Sequence, residues 1–183
     1  MAQPRQKMYL LAMVYIVGVG LGTAVTLWMK DDLADKMEIY RLYFQENPLE
    51  IPLNTWDYFI YIARQRFWSM GLLILFSFTT FAYPCLCAFS LYYGFCIAGA
   101  VVITTASNGM MGFLFFFLSL MPHYVLYIAA VLMIAYTICY SHSMMETRKI
   151  QRIVVSVILF GIGMILEVYC NPVLLKYLNT VIG

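Results

Sequence analysis

Glu167 is the residue whose type and place most invite chemistry. It is the sole formal charge between positions 153 and 170, in an otherwise apolar stretch. A carboxylate at a central position in a bilayer costs on the order of 2.5–3.5 kcal/mol on insertion scales, and it is a functional candidate by default. His123 follows Pro122 at the head of another apolar stretch, and Asn108 and Asn171 stand at the edges of two more. The topology derived below brings His123 and Glu167 to similar depth near the outer face. Asn108, His123, Glu167 and Asn171 are therefore expected to form one polar intramembrane site. The alternative is that each polar side chain snorkels to its own interface.

These residues are a thin set for an enzyme. There is no nucleophile with a placed base, no HExxH pair, no paired intramembrane aspartates and no P-loop. Ser77, Ser90, Ser107 and Ser119 are scattered, and serines in membrane helices usually bond their own backbone. The five cysteines, at 85, 87, 96, 139 and 170, include no CxxC pair. The spacing of Cys85 and Cys87 is too tight for zinc and has no second pair to complete four ligands. All five read as small packing residues. No catalytic residue, metal site or cofactor is assigned.

The elements that must position these side chains are membrane helices. Residues 67–145 contain no Asp, Glu, Lys or Arg, and only His123 and His142 in that run could carry a charge. Apolar residues make up 63% of the chain and charged residues 11%. Mean hydropathy is +0.82. Such values belong to membrane proteins. With a net charge of +2 and no long basic run, nothing points to nucleic acid.

Residues 1–7 are a short basic lead with Arg5 and Lys7, and residues 8–29 follow without charge. A hydrocarbon core of about 30 Å takes roughly 20 apolar residues per crossing, so 8–29 is one span. It is longer than a signal peptide's apolar region and lacks a good cleavage site. Gly18 and Gly22 form a GxxxG, which suits close helix–helix packing. Residues 30–66 are the only long polar segment. Leu33, Met37, Tyr40 and Phe44 form one helical stripe in it. Trp56, Phe59, Ile60, Ala63 and Phe67 form a second, after Asn54 or Thr55 as N-cap. Trp56, Tyr58, Tyr61, Arg64 and Arg66 suit a membrane–water boundary. This segment is either a partner-docking surface, carried by Leu33, Met37, Tyr40, Phe44, Trp56 and Phe59, or a pair of amphipathic connectors on the headgroups.

The long apolar run divides at its turn signals. Residues 67–83 form one crossing, ended by Pro84, and 85–105 form the next. Ser107, Asn108 and Gly109 make a polar turn. Residues 110–121 are too few to span easily and read as a re-entrant or interfacial segment. Residues 124–140 cross again, 141–152 form a polar loop with Arg148, Lys149 and Arg152, and 153–170 are the last crossing, stopped by Asn171 and Pro172. The expected fold is an all-α polytopic membrane bundle of about five spans, with 1–183 a single membrane domain. Placing the basic lead and loop inside puts the N-terminus in the cytoplasm and segment 30–66 and the C-terminus outside.

Two stretches resemble the stage II sporulation protein M family. One runs from Pro84 through Tyr93-Gly94, Gly99, Gly109, Gly112 and Phe115-Phe116 to Met121-Pro122-His123. The other runs from Gly161 and Gly163 to Glu167-Val168-Tyr169 and Asn171-Pro172. The basic lead, glycine-bearing first span and outer loop match in order, so the resemblance covers nearly the whole chain. It implies a bacterial inner-membrane protein of about five spans that is not itself a hydrolase. Its implied role is to anchor, at the sporulation septum during engulfment, a peptidoglycan-remodelling complex containing sporulation proteins D and P. Many relatives carry Gly after the Pro-His step and an acid three residues beyond it. Tyr124 and Tyr127 stand there in this chain.

The first functional reading is thus a non-enzymatic scaffold acting by localisation. The second is a transporter or channel subunit that uses Glu167 and the broken segment 108–122.

Overall fold

The computed structural model describes residues 3–29, 55–121, 123–140 and 146–182, with side chains given only up to Cys170 and omitted at a few earlier helical positions. All regular structure among them is helical: α1 (Pro4–Trp28), α2 (Thr55–Ser77), α3 (Ala82–Leu120), α4 (His123–Tyr140) and α5 (Glu146–Ile182). Four segments are long and apolar enough to cross a membrane: Pro4–Trp28, Ala82–Ala106, His123–Tyr140 and Glu146–Cys170. The chain is an all-α helical membrane bundle.

One end of the bundle is basic and aromatic. Lys7 lies 5.6 Å from the Tyr83 ring centre, Lys149 5.3 Å from that of Phe78, and Arg152 4.5 Å from that of Tyr136. The Tyr83 hydroxyl donates to the Lys7 carbonyl at 3.1 Å. These contacts gather the starts of α1, α3 and α5 with the ends of α2 and α4. Hence α1, α3 and α5 run away from the basic end and α2 and α4 run toward it. α2, which carries Arg64 and Arg66 and is not among those four segments, lies in the bundle beside them.

α1 starts at Pro4, whose missing N–H belongs to a position with no helical acceptor, and the Gln3 N–H is held by Gln6 Oε1 at 3.0 Å. Its packing against α3 is parallel and nearly backbone to backbone. A Cβ at Gly18 would run into the Leu91 carbonyl, and one at Gly22 into the Phe95 carbonyl. From the other side, a Cβ at Gly94 would lie 2.6 Å from the Tyr15 carbonyl oxygen. Lipid provides little hydrophobic drive between helices, so dispersion at this short range holds the pair together.

α4 is the central helix. Ala130, Ile134 and Thr137 are fully buried, and Met70, Leu73, Leu86, Ala135, Ile138 and Cys139 complete the core with them. The buried hydroxyls of Thr137 and Ser156 bond carbonyls of their own helices, those of Met133 and Arg152, at 2.8 Å each. No buried orphan is left at either position.

Several boundaries differ from the sequence expectations. The turn between α2 and α3 is residues 78–81, and Pro84 lies in the first turn of α3, where a missing N–H leaves no bond unmade. Ser107, Asn108 and Gly109 do not end in a full turn. Only Gly109 leaves helical geometry (φ 58°, ψ −143°), and helix resumes for 110–120. Asn171 and Pro172 do not stop the last helix, which continues to Ile182. Proline inside membrane helices is tolerated where neighbouring groups satisfy the freed carbonyl. The stripe of Leu33, Met37, Tyr40 and Phe44 lies outside the described residues.

The inward face of α2 was not assigned from the sequence. Trp56, Phe59, Ile60, Ala63 and Phe67 were read as a stripe for docking or for the headgroups, and Ile60 is 49% and Phe67 71% exposed. Ile62, Met70, Leu73 and Ser77 are buried instead, and Arg66 shares their face. In a bilayer the most apolar stripe is the one that faces lipid, and the stripe with polar members turns inward.

Candidate functional site

Three helices bring one polar side chain each to a common point. Arg66 lies in the middle of α2, 11 residues before its Ser77 end. At 1.5 Å per residue that is about 16 Å along the helix from the basic end, too deep for a headgroup contact. Glu167 lies on α5, 15 residues beyond Arg152, and Tyr127 lies on the first turns of α4.

Arg66 and Glu167 form a two-point ion pair. Nη2 donates to Oε1 at 2.9 Å and Nε to Oε2 at 3.3 Å. The Tyr127 hydroxyl donates to the same Oε2 at 2.6 Å, in a buried bond. The planar guanidinium fork matches a carboxylate in both geometry and charge. Its carbon centre also lies 5.4 Å from the Tyr127 ring centre and 5.7 Å from that of Tyr124, so the cation is shared with two aromatic faces.

The local sequence of α5 makes room for this arrangement. Phe160, Gly163 and Glu167 recur at spacings of three and four and share one face. A Cβ at Gly163 would come within 2.7 Å of the Tyr127 ring, so glycine is what admits that ring. Phe160 closes on it at 4.8 Å between centroids. The Tyr127 hydroxyl can then reach along α5 to the carboxylate.

His123 is 1% exposed and packs edge-on against Tyr124 and Tyr127, at 5.6 and 5.8 Å. Its Nδ1 is buried with no hydrogen-bond partner among the described residues. His123 and Glu167 thus both meet Tyr127, one at its ring and one at its hydroxyl, and among the described residues no hydrogen bond joins them directly.

The side chains of Asn108 and Asn171, the other two members of the expected site, lie outside the described residues. Gly18 and Gly22 lie on the α1–α3 seam. Among the docking candidates, Trp56 is 64% exposed and stacks on Phe59 at 5.7 Å, and the other four lie outside the described residues.

Arg66, Tyr124 and Tyr127 were not among the expected site residues. Arg66 was assigned to the boundary because it follows a polar segment. The signal that could have found it is its register, four residues from both Ile62 and Met70 on the face that turns inward.

Chemically, this is a neutralised charge pair. Both carboxylate oxygens are engaged, which leaves Glu167 poorly placed to act as a base. The arrangement ties α2, α4 and α5 at one level, and its directional bonds fix their relative rotation, which apolar contacts do only weakly. Whether a buried pair adds net stability depends on how completely it is bonded, and here every formal charge has its partner.

The family model described as Stage II sporulation protein M matches residues 10–172. Neither the curated proteins nor the solved structures contain a match.

Proposed function

This chain belongs to the stage II sporulation protein M family, a sporulation-related family of membrane proteins, and on that premise we propose that it is a non-enzymatic scaffold. It localises a peptidoglycan-remodelling complex at the sporulation septum during engulfment, with wall hydrolases similar to sporulation proteins D and P as its partners. It lies in the bacterial inner membrane with its basic end, and so its N-terminus, in the cytoplasm. Segment 30–54 and the C-terminus are then outside.

The observation that best supports this reading is the state of Glu167. Its carboxylate is held by Arg66 and Tyr127, so the most chemically suggestive group in the spans serves the architecture. Exposed Trp56, at the outer start of α2, offers an aromatic anchor of the kind that interfaces use. A scaffold needs no turnover, because tethering alone raises the local concentration of a hydrolase. The competing reading, a transport subunit using Glu167 and segment 108–122, draws support from the helix break at Gly109. It has to open the ion pair to free Glu167.

The test is to replace residues 31–54 by a Gly/Ser linker of equal length, which leaves Arg66 untouched. The scaffold reading predicts normal insertion and abundance with loss of wall-hydrolase recruitment to the septum. Undiminished recruitment would move the contact surface into the spans.

A further inference from the structure

A cavity of about 570 Å³ lies among α1, α3 and α4 on the basic side of the Arg66–Glu167 pair. Its walls are almost wholly apolar. Along α3 it extends from Leu86 to Ile97, and along α4 from Tyr124 to Ala135. Each is 11 residues, or about 16 Å, close to half of a hydrocarbon core of about 30 Å. The near end lies beside Met8, one residue after Lys7, and the far end is closed by Arg66 and Tyr124.

Two features set what can fill it. First, the cavity opens sideways. α1 and α4 both line it, yet Ile16, Ile128 and Leu132 remain 67%, 52% and 53% exposed, so its mouth faces the surrounding hydrocarbon. Second, its polarity runs in one direction. The basic end carries Lys7, whose ammonium rests on the Tyr83 ring. At the far end the Arg66 guanidinium is already bonded to Glu167, so it offers an incoming anion little. An amphiphile would place its anionic group at Lys7 and its apolar tail toward Arg66.

We propose that this cavity is a binding site for one acyl chain of an anionic phospholipid from the leaflet at the basic end, with its phosphate at Lys7. Apolar cavities of this kind stay dry, and protein interiors rarely leave voids larger than a water molecule unfilled. Phospholipid is the apolar species at hand on the open side. The match between cavity length and one leaflet, and the cation at the leaflet's headgroup level, both favour it over a helix of a second copy. Bound lipid would brace α1 against α4, which otherwise meet sparingly.

The test uses the full chain in nanodiscs of phosphatidylglycerol and phosphatidylethanolamine, doped with phosphatidylglycerol bearing a mid-chain diazirine. After photolysis, peptide mass spectrometry maps the labelled residues. Phe89 and Val131 line the cavity and are half-buried, so a chain seated there lies against both. Labelling there within a few-fold of that at exposed Phe67 is the expected result. Ala12→Trp, which fills the mouth from α1, should cut the interior labelling at least fivefold and leave Phe67 unchanged. Lys7→Gln should lower it about fivefold when the labelled lipid is limiting, the weight of one basic residue at an anionic surface. Labelling confined to Phe67 and other outward positions in the unmutated protein would overturn the proposal. Unchanged labelling in Lys7→Gln would overturn the assignment of the phosphate.

Discussion

Glu167→Gln is the perturbation whose outcome the structure specifies most closely. The side chain keeps its length and loses its charge, so Arg66 is left as a lone cation about 16 Å from the end of α2. Insertion scales place an unpaired Arg near a helix centre at roughly 2.5–3.5 kcal/mol. Breaking one side of a buried pair in a protein costs about 3–5 kcal/mol. The Arg66 side chain is 23% exposed, which favours the lower part of that range, about 3 kcal/mol. For a chain of this length that is a fall in melting temperature of roughly 6–12 °C, or about two orders of magnitude in the folded-to-unfolded ratio. The control is Arg66→Met combined with Glu167→Leu, which removes both charges and keeps most of the volume. Apolar replacement of a whole buried pair is often neutral, so the double variant should recover at least about 2 kcal/mol. The assay is thermal unfolding of the purified protein in one detergent, followed by loss of the monodisperse peak. A single variant that melts within 2 °C of the unmutated protein would refute the reasoning. So would a double variant no more stable than the single one.

Other variants probe the remaining contacts in the same assay. Gly22→Ala puts a methyl group against the Phe95 carbonyl and should destabilise by about 1–3 kcal/mol, the usual effect of overpacking. Gly20→Ala, with nothing within 4 Å of its added Cβ, should stay within about 0.5 kcal/mol. Gly163→Ala displaces the Tyr127 ring and should lose about 1–3 kcal/mol, while Gly161→Ala, in open space, should not. Tyr127→Phe removes one hydrogen bond to a charged group and should lose about 1.5–3 kcal/mol with Arg66–Glu167 still paired. If it melts like the unmutated protein, Tyr127 is not part of the lock.

The fold class was legible because it rests on coarse signals. The uncharged run 67–145 and the charge-free stretch 8–29 admit few structures other than membrane helices. Helix ends were less legible, for local reasons. Pro84 and Pro172 both read as stops, but a proline in a first turn loses nothing, and one in a membrane helix is tolerated. Gly109 was readable as a break, though not that helix resumes directly after it. The inward face of α2 was not legible, because in lipid the stripe with polar members turns inward rather than the most apolar one. With lipid outside, Phe67 and Ile60 face outward, and Arg66 turns in beside Ile62 and Met70. The site was legible in part for the same reason. Glu167 and His123 stand out as polar residues in apolar stretches, whereas the partner of Glu167 lies 101 positions away on a helix that reads as a boundary. Tyr127 gave no signal of its own. Its role depends on Gly163 vacating the space its ring occupies, a relation between two helices that neither helix shows alone.

The central claim is that this membrane bundle exists to hold wall-remodelling enzymes in place. Its most direct test is an affinity pull-down of the tagged protein from detergent-solubilised cells of its source, sampled through growth and starvation, with mass spectrometry of the co-purifying proteins. The account predicts peptidoglycan hydrolases that appear under starvation and disappear when residues 31–54 are replaced. Recovery of a cytoplasmic ATPase or other transport subunits, with no wall enzyme at any stage, would contradict it.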